Sequence, residues 1–174
     1  MPRGLDIKRL YDEHAQSLYA FLLNLTRNEA DTHDLLQELF VKLAREESSA
    51  AGMQNERHFL IRLAHNAAID LIRRRATRDR TREQFAAENI SQFAPVNDPD
   101  EQVFREELSV ALGGLPPDQR AVVHLKLWQA LTFEEIARTL DISPNTAASR
   151  YRYGVDKLRD RLRLLYDELK SAEQ

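Results

Sequence analysis

Apolar residues recur every three to four positions along most of the chain, and this spacing predicts a succession of amphipathic helices. The first helix is expected to begin after Asp6, which can cap it, and to end at about Arg27-Asn28. Its apolar stripe consists of Ile7, Leu10, Tyr11, Leu18, Phe21, Leu22 and Leu25. A second helix is expected from about Glu29 to Glu47. Its inward positions are Ala30, Leu36, Leu39, Phe40 and Leu43, and its outward ones are Asp31, Asp34, Gln37, Glu38, Lys42 and Arg45.

A third helix is expected from about Glu56 through Arg75 or beyond, between two segments that lack periodicity. Its inward positions are Phe59, Leu60, Leu63, Ala64, Ala67, Leu71 and Ile72. The preceding segment, Ser48 to Asn55, is small and polar and reads as a loop. The following segment, Thr77 to Asp100, has few apolar residues and two prolines, which is typical of a linker.

The C-terminal part of the chain resumes the helical pattern. A short helix is predicted from Glu101 to Leu112, ended by Gly113-Gly114. Pro116-Pro117 begins the next helix, which is expected to reach Trp128 and to place that side chain in the core. Its other apolar positions are Val122, Val123, Leu125 and Leu127.

Two further helices joined by a tight turn are predicted between Thr132 and Leu162. Thr132 can cap the first of them, with Glu135 three residues on, and the helix stops at Asp141-Ile142-Ser143. Ser143-Pro144 then opens the second helix, because serine is a preferred cap and proline suits the first helical position. Its buried stripe is Tyr151, Val155, Leu158 and Leu162.

The second of these helices carries polar side chains suited to reading DNA. They are Ser143, Asn145, Thr146, Ser149, Arg150 and Arg152. Arginine can pair with guanine and asparagine with adenine, while serine and threonine bond either base edges or phosphates. A helical hairpin with a solvated basic face is the alternative. The capping pattern, the three-residue turn and the Ser-Pro start together favour a helix-turn-helix that enters the major groove.

Charge is distributed unevenly along a chain whose formal net charge is −3. From Arg57 to Arg82 there are eight arginines against two acids, whereas from Glu83 to Glu107 there are seven acids against one arginine. Six of the arginines lie within ten residues at the end of the third helix, which exceeds what the helix dipole needs and favours phosphate contact. Since the chain as a whole is acidic, we expect it to need a larger partner to hold it on DNA.

Composition excludes several classes of protein. No cysteine is present, so a disulfide scaffold and a thiolate metal site are excluded. We expect no cofactor and no metal, since Asp31, His33, Asp34 and Glu38 spread around their helix rather than converging. No apolar run approaches the ~20 residues that cross a bilayer, so we expect no membrane insertion and a cytoplasmic protein. The sequence contains neither a glycine-rich phosphate loop nor a recognisable nucleophile motif, so we do not expect an enzyme.

The C-terminal motifs resemble region four of bacterial sigma factors of the extracytoplasmic-function (ECF) group. The resemblance rests on Leu115-Pro116-Pro117-Asp118-Gln119-Arg120, Leu131 to Ala137, Ile142 to Thr146, and Ser149-Arg150. It implies that the second helix of the pair contacts the minus-thirty-five element. Three features depart from the family pattern: Asp141 replaces a glycine in the turn, Ala147 replaces a larger branched residue, and Ala148 and Tyr153 stand where basic residues are common. The last of these implies an atypical minus-thirty-five preference.

The N-terminal half resembles region two of the same family. Asp34-Leu35-Leu36-Gln37-Glu38-Leu39-Phe40 is similar to the segment that docks on the clamp coiled coil of the largest RNA polymerase subunit, which implies docking contacts from Asp34, Gln37 and Glu38. Phe59 to Arg74 resembles the helix that melts and reads the minus-ten element. There, Asn66 holds the base-pocket position. The residues implied along the DNA strand are Arg62, His65, Asp70, Arg73 and Arg74, and the loop from Ser49 to Asn55 would close the pocket.

The resulting prediction is an all-α protein with two small helical domains joined by an acidic linker. Residues 1–80 would bind core RNA polymerase and the minus-ten element, 81–103 would form the linker, and 104–174 would bind the minus-thirty-five element. The partners implied are core RNA polymerase, promoter DNA and an anti-sigma factor. The alternative is a stand-alone helix-turn-helix regulator with a helical partner-binding domain, which would not need the two N-terminal motifs.

Overall fold

A computed structural model of the chain describes residues 5–46, 55–78 and 99–172, and all regular structure within these ranges is α-helical. The helices are α1 (Ile7–Thr26), α2 (Glu29–Arg45), α3 (Glu56–Arg78), α4 (Pro99–Gly113), α5 (Pro117–Leu127), α6 (Phe133–Leu140) and α7 (Pro144–Ala172). The chain divides into two compact units, one built on α1 to α3 and the other containing most of the residues after Gln84. The all-α prediction is confirmed.

The first unit is a bundle in which α1 packs against both α2 and α3. The predicted cap of α1 forms, because the Asp6 carboxylate accepts a hydrogen bond from the Arg9 amide at 3.1 Å. The core is dominated by leucine from α1 and α2 and by small or branched residues from α3. Its members include Leu10, Leu18, Phe21, Leu22, Leu25, Leu36, Leu39, Phe40, Leu43, Leu60, Ile61, Ala64, Ala68 and Ile69.

A two-residue connection, Arg27-Asn28, joins α1 to α2. Arg27 adopts a left-handed conformation with φ 59°, and Asn28 caps α2 by accepting a hydrogen bond from the Asp31 amide at 3.0 Å. The hydroxyls of Thr26 and Thr32 lie 2.8 Å apart, and the Thr32 hydroxyl also donates to the Asn28 carbonyl. The connection is therefore fixed by hydrogen bonds on both sides.

The second unit is organised around α5, where five consecutive residues from Ala121 to Leu125 are buried. Helix α7 approaches α5 closely at Gly154, where an added Cβ would lie only 2.7 Å from Val123 Cγ2. Arg120 is 5 % exposed, and its Nη1 donates to the carbonyls of Leu112, Gly113 and Leu115 at 3.1–3.4 Å. One buried arginine thus satisfies carbonyl groups at the C-terminal end of α4.

The helix-turn-helix forms as the sequence predicts. The Thr132 hydroxyl accepts a hydrogen bond from the Glu135 amide at 3.1 Å, so the cap of α6 is in place. Asp141 adopts the left-handed conformation with φ 57°, and the Ile142 amide then donates to the Ala137 carbonyl at 3.0 Å. An aspartate therefore closes the turn in which the sigma-factor pattern has glycine, because its short polar side chain tolerates positive φ.

Several side chains lie elsewhere than predicted. Trp128 is 43 % exposed and Leu127 52 % exposed, so their placement in the core was wrong. The reason is that α5 ends at Leu127, and Trp128 covers the His124 ring with 5.3 Å between centroids while its other face meets solvent. Tyr11 is 50 % exposed and Ala30 is exposed, whereas Leu35, which the stripe of α2 had omitted, is buried.

Helix boundaries differ slightly from the expected ones. Helix α4 begins at Pro99 rather than Glu101, so its first turn overlaps the linker predicted over 81–103. Helix α2 ends at Arg45, two residues early, whereas α3 runs to Arg78, in agreement with the expected end at Arg75 or beyond. The predicted loop residues 48–54 and linker residues 79–98 lie outside the described residues.

Candidate docking and nucleic-acid interfaces

The outer face of α2 presents the three residues expected to bind a protein partner. Asp34, Gln37 and Glu38 are all exposed, and their spacing of three and four residues places them on one side of the helix. Together with Val41 and Lys42 they line an open depression that continues to the end of the helix. The structure therefore brings these three residues together on an accessible surface.

An apolar groove adjoins this face and was not predicted from the sequence. It has a volume of about 500 Å³ and is lined by Tyr11, His33, Leu36, Gln37, Phe40, Val41 and Ala44. The Tyr11 ring meets Phe40 edge-on, with 5.1 Å between centroids, and Val41 is 42 % exposed. Because Gln37 lines both the groove and the polar face, the two form one continuous surface. The sequence gives no signal for this groove, because Tyr11 stands at a position of the apolar stripe that the periodicity assigns to the core.

The exposed face of α3 carries most of the residues expected to contact the minus-ten strand. Arg62, Asn66, Asp70, Arg73 and Arg74 are exposed, and their positions follow one side of the helix over three turns. The main-chain carbonyl of Asp70 accepts a bond from Arg74 Nε at 3.4 Å, which orients that guanidinium along the helix. This face combines an amide, a carboxylate and three cations.

The structure separates His65 from these residues. Its side chain is only 9 % exposed and lies on the inner face of α3, which also presents Ile61, Ala64, Ala68 and Ile69. The prediction that His65 lines the path of a DNA strand does not fit this position, because a side chain on the buried face cannot reach the exposed one. Its four-residue spacing from Ile61 and Ile69 could have shown this from the sequence.

Arg75, the last of three consecutive arginines, is engaged within the protein. Its two terminal nitrogens pair with the two carboxylate oxygens of Asp31 in α2, with 2.7 Å between Nη2 and Oδ1. The basic run at the end of α3 is therefore not uniform, since Arg73 and Arg74 extend outward while Arg75 turns toward α2.

The start of α7 holds the residues expected to contact duplex DNA. The Ser143 hydroxyl accepts from the Thr146 amide at 3.0 Å and lies 2.8 Å from the Thr146 hydroxyl, so these two form the helix cap. Asn145 and Arg152 are exposed, and Ser149 is partly exposed. The N-terminal end of α7 thereby presents main-chain amide groups together with short polar side chains.

The arginines of α7 have distinct surroundings. Arg150 is 30 % exposed and its Nη2 lies 4.0 Å from an Asp118 carboxylate oxygen of α5. The Arg152 guanidinium lies over the ring of Tyr153, 5.3 Å from its centroid, and Tyr153 is 54 % exposed.

Ala147 is fully buried, so the small residue that departs from the family pattern faces the core of the helix-turn-helix.

A group of possible metal ligands, Glu13, His14 and Glu56, occurs where α1 meets the start of α3. Arg9 already serves both carboxylates, because its Nη2 lies 2.7 Å from Glu56 and its Nη1 lies 3.1 Å from Glu13. The Arg9 guanidinium lowers the pKa of Glu56 below its ordinary value, mainly through this hydrogen bond. The cluster is an ion-pair network that ties α1 to α3.

Comparisons with known proteins agree on one family. The family model of Sigma-70 region 2 matches residues 10–78, and that of Sigma-70 region 4 matches residues 105–158. The chain is 30 % identical over 172 residues to the ECF RNA polymerase sigma factor SigX of Bacillus subtilis, covering 94 % of this chain and 87 % of SigX. The chain belongs to the ECF group of RNA polymerase sigma factors. It is thus an alternative sigma factor, a transcription initiation factor that acts with RNA polymerase at promoters.

Further relatives support this assignment over most of the chain. It is 32 % identical over 153 residues to the RNA polymerase sigma factor CarQ of Myxococcus xanthus, covering 88 % of this chain and 87 % of CarQ. The fold matches that of the sigma factor RpoE, solved in complex with the anti-sigma factor NepR from Bartonella quintana, with a TM-score of 0.75, 20 % identity and coverage of 91 % and 97 %. The alternative of a stand-alone helix-turn-helix regulator is not favoured, because the chain matches the family models of both region 2 and region 4.

None of the described helices of the sigma factor combines the length and the apolar character that crossing a membrane requires.

Proposed function

We propose that the sigma factor docks on core RNA polymerase through α2, holds the opened minus-ten strand on α3, and contacts the minus-thirty-five duplex with the start of α7. The observation that carries this proposal is the pair of family matches, to region 2 and to region 4, in a chain whose matching helices present most of the expected polar residues at the surface. Residues 1–80 and 104–174 would be the two functional domains, and 81–103 the linker.

Docking on polymerase combines the polar face of α2 with the groove beside it. Asp34 and Glu38 offer carboxylates to cationic side chains, and Gln37 offers an amide at the edge where the groove begins. Tyr11 and Val41, the two large exposed apolar side chains of the groove, supply the apolar area from which most of the contact energy in such an interface arises. We infer that the clamp helices of the largest subunit bind here.

Opening of the minus-ten element requires a base to leave the stack, which costs a few kcal/mol. Asn66 is the exposed amide at the middle of the α3 face, and an amide can bond the polar edge of an unstacked base with both a donor and an acceptor. Arg62 and Asp70 flank it by one turn on either side, while Arg73 and Arg74 are placed to contact phosphates further along the strand.

Contact with the minus-thirty-five duplex uses the N-terminal end of α7. Arg150, Arg152 and Asn145 carry groups that pair with base edges, while the Ser143 and Thr146 hydroxyls and the helix N-terminus suit a phosphate. Ser149 lies on the same exposed side and can bond either. The protein performs no catalysis in this scheme, since polymerase carries the chemistry.

An anti-sigma factor is a further partner that we infer for this chain. The structural neighbour RpoE was solved with the anti-sigma factor NepR, and a second neighbour, CnrH, was solved with the cytosolic domain of CnrY. The exposed face and groove of α2 would be a suitable target, because occupying them would block the docking of polymerase.

The docking proposal is tested with Asp34→Ala in the full chain. Removing this carboxylate should weaken binding to purified core polymerase about fivefold or more, since truncating one partner of a charge pair at an interface costs about 1 kcal/mol or more. Asp12→Ala, an exposed acid of α1, is the matched control and should bind as the unaltered protein does. Equal affinities for all three proteins would move the docking surface away from α2.

A further inference from the structure

Helix α3 is held by an ion pair at each of its ends. At the N-terminal end, Glu56 Oε1 lies 2.7 Å from Arg9 Nη2 of α1. At the C-terminal end, both terminal nitrogens of Arg75 pair with the two carboxylate oxygens of Asp31. The second pair has the two-pronged geometry in which arginine and carboxylate fix each other's orientation as well as their distance. The Asp31 side chain is 12 % exposed, so it is more sheltered than the other three.

Asp31 belongs to the same stripe of α2 as the polymerase-docking residues. It precedes Asp34 by three positions and Glu38 by seven, so these three acids lie along one side of α2, contrary to the expectation that they spread around it. Asp31 is also anchored locally, because its amide donates to the Asn28 side chain that caps α2. The Asp31 carboxylate that pairs with the C-terminal end of α3 thus belongs to α2, the helix proposed to bind polymerase.

Arg75 lies at the end of the promoter-facing stretch of α3. Arg73 and Arg74 precede it directly and are exposed, whereas the Arg75 guanidinium is directed to α2. Binding of an unpaired DNA strand along α3 favours opening only if α3 keeps its position. The contacts that fix α3 to the other helices therefore affect opening. In the first unit the Arg75–Asp31 pair joins the promoter-facing end of α3 directly to α2.

We propose that Asp31 is a positioning residue for promoter opening: through Arg75 it fixes the promoter-facing end of α3 on the polymerase-docking helix α2. The proposal rests on the function proposed above. It assigns Arg75 a role inside the protein, in contrast to Arg73 and Arg74, which contact the DNA backbone. Loosening the pair leaves both helices folded and allows the end of α3 to yield as the strand is bound.

The competing role for Arg75 is a phosphate contact, and the two roles predict opposite effects of Asp31. If Arg75 contacts DNA, Asp31→Asn frees a cation and tightens DNA binding, while Arg75→Gln weakens it and lowers the salt dependence by about one phosphate contact. If the pair positions α3, both substitutions slow opening by a similar factor. The double variant is then no slower than either single one, because each breaks the same interaction.

The experiment uses holoenzyme assembled from core polymerase and the full chain, on a promoter fragment that the unaltered holoenzyme transcribes. Closed-complex affinity is measured at two salt concentrations, and the opening rate is followed by permanganate reactivity of unpaired thymines. We expect Asp31→Asn, Arg75→Gln and the double variant each to slow opening about three- to fivefold, the scale of one partly exposed ion pair, with closed-complex affinity unchanged within about twofold. Arg74→Gln should instead weaken the closed complex and reduce its salt dependence.

Glu56→Gln is the matched control, since it breaks the ion pair at the other end of α3. Thermal unfolding of every variant is recorded, and a purely structural role would make the opening rate follow the melting temperature, with Glu56→Gln slowed as much as Asp31→Asn. That result would overturn the proposal. So would changes in DNA affinity of opposite sign for Asp31→Asn and Arg75→Gln, or an unchanged opening rate in both variants. If the unaltered holoenzyme opens no fragment, the proposed function itself fails, which is a separate outcome.

Discussion

His124 makes the stability of the second unit depend on pH. Its ring is 2 % exposed within α5, and burial lowers the pKa of His124 from its ordinary 6.5 to about 4. The neutral ring is thus favoured in the folded protein, and protonation favours unfolding. The stabilisation is complete above pH 6.5 and is lost as the pH falls toward 4, because the unfolded chain then binds the proton more readily. The gap between the two pKa values corresponds to about 3 kcal/mol.

Between pH 7.5 and pH 5 this linkage predicts a loss of about 2 kcal/mol in the free energy of unfolding. Urea unfolding followed by the fluorescence of Trp128 measures this loss in the second compact unit of the fold. Trp128 is the one tryptophan of the chain, and its ring lies 5.3 Å from that of His124. His124→Leu is the control. The other four histidines lie at or before residue 65 and are present in both proteins, so the difference between the two proteins isolates His124. A wild-type transition that does not weaken over this range, or an equal loss in His124→Leu, would refute the reasoning.

Three further substitutions test individual parts of the account. Asn66→Ala should slow promoter opening while leaving the closed complex intact, as permanganate reactivity and filter binding would show; an equal loss in both would remove Asn66 from the base pocket. Arg120→Met should lower the free energy of unfolding by about 2–3 kcal/mol, because buried carbonyls lose a charged donor, and an unchanged urea midpoint would contradict that role. Gly154→Ala should destabilise the protein by about 1 kcal/mol in thermal unfolding, since overpacking against Val123 outweighs the better helix propensity of alanine; a stabilised variant would show that α7 can shift at no cost.

Local signals predicted the helices and the turn of the helix-turn-helix correctly. Asp6, Thr132 and Ser143 each cap the helix expected of them, because capping depends only on residues three positions apart. Asp141 likewise takes up the left-handed conformation that its place in the turn requires. Such features are encoded within a few residues, so the sequence is enough to find them.

Features that depend on distant parts of the chain were missed or misplaced. Trp128 was assigned to the core as the last apolar residue of its helix, but the end of α5 leaves it at the surface. His65 was placed beside DNA by resemblance, while the packing of α3 buries it. The pairing of Asp31 with Arg75 joins residues 44 positions apart, and no periodicity of either helix indicates it. Contacts of this kind follow from how helices pack, which spacing along one helix does not determine.

The central claim is that this chain directs core RNA polymerase to particular promoters. Transcription in vitro with purified core polymerase across genomic fragments, with start sites mapped, tests it most directly. Discrete start sites are expected only when the chain and core polymerase are both present, and they should be lost with Asp34→Ala at limiting concentrations. A chain that leaves core polymerase unaffected, yet binds specific duplex DNA by itself, would contradict it.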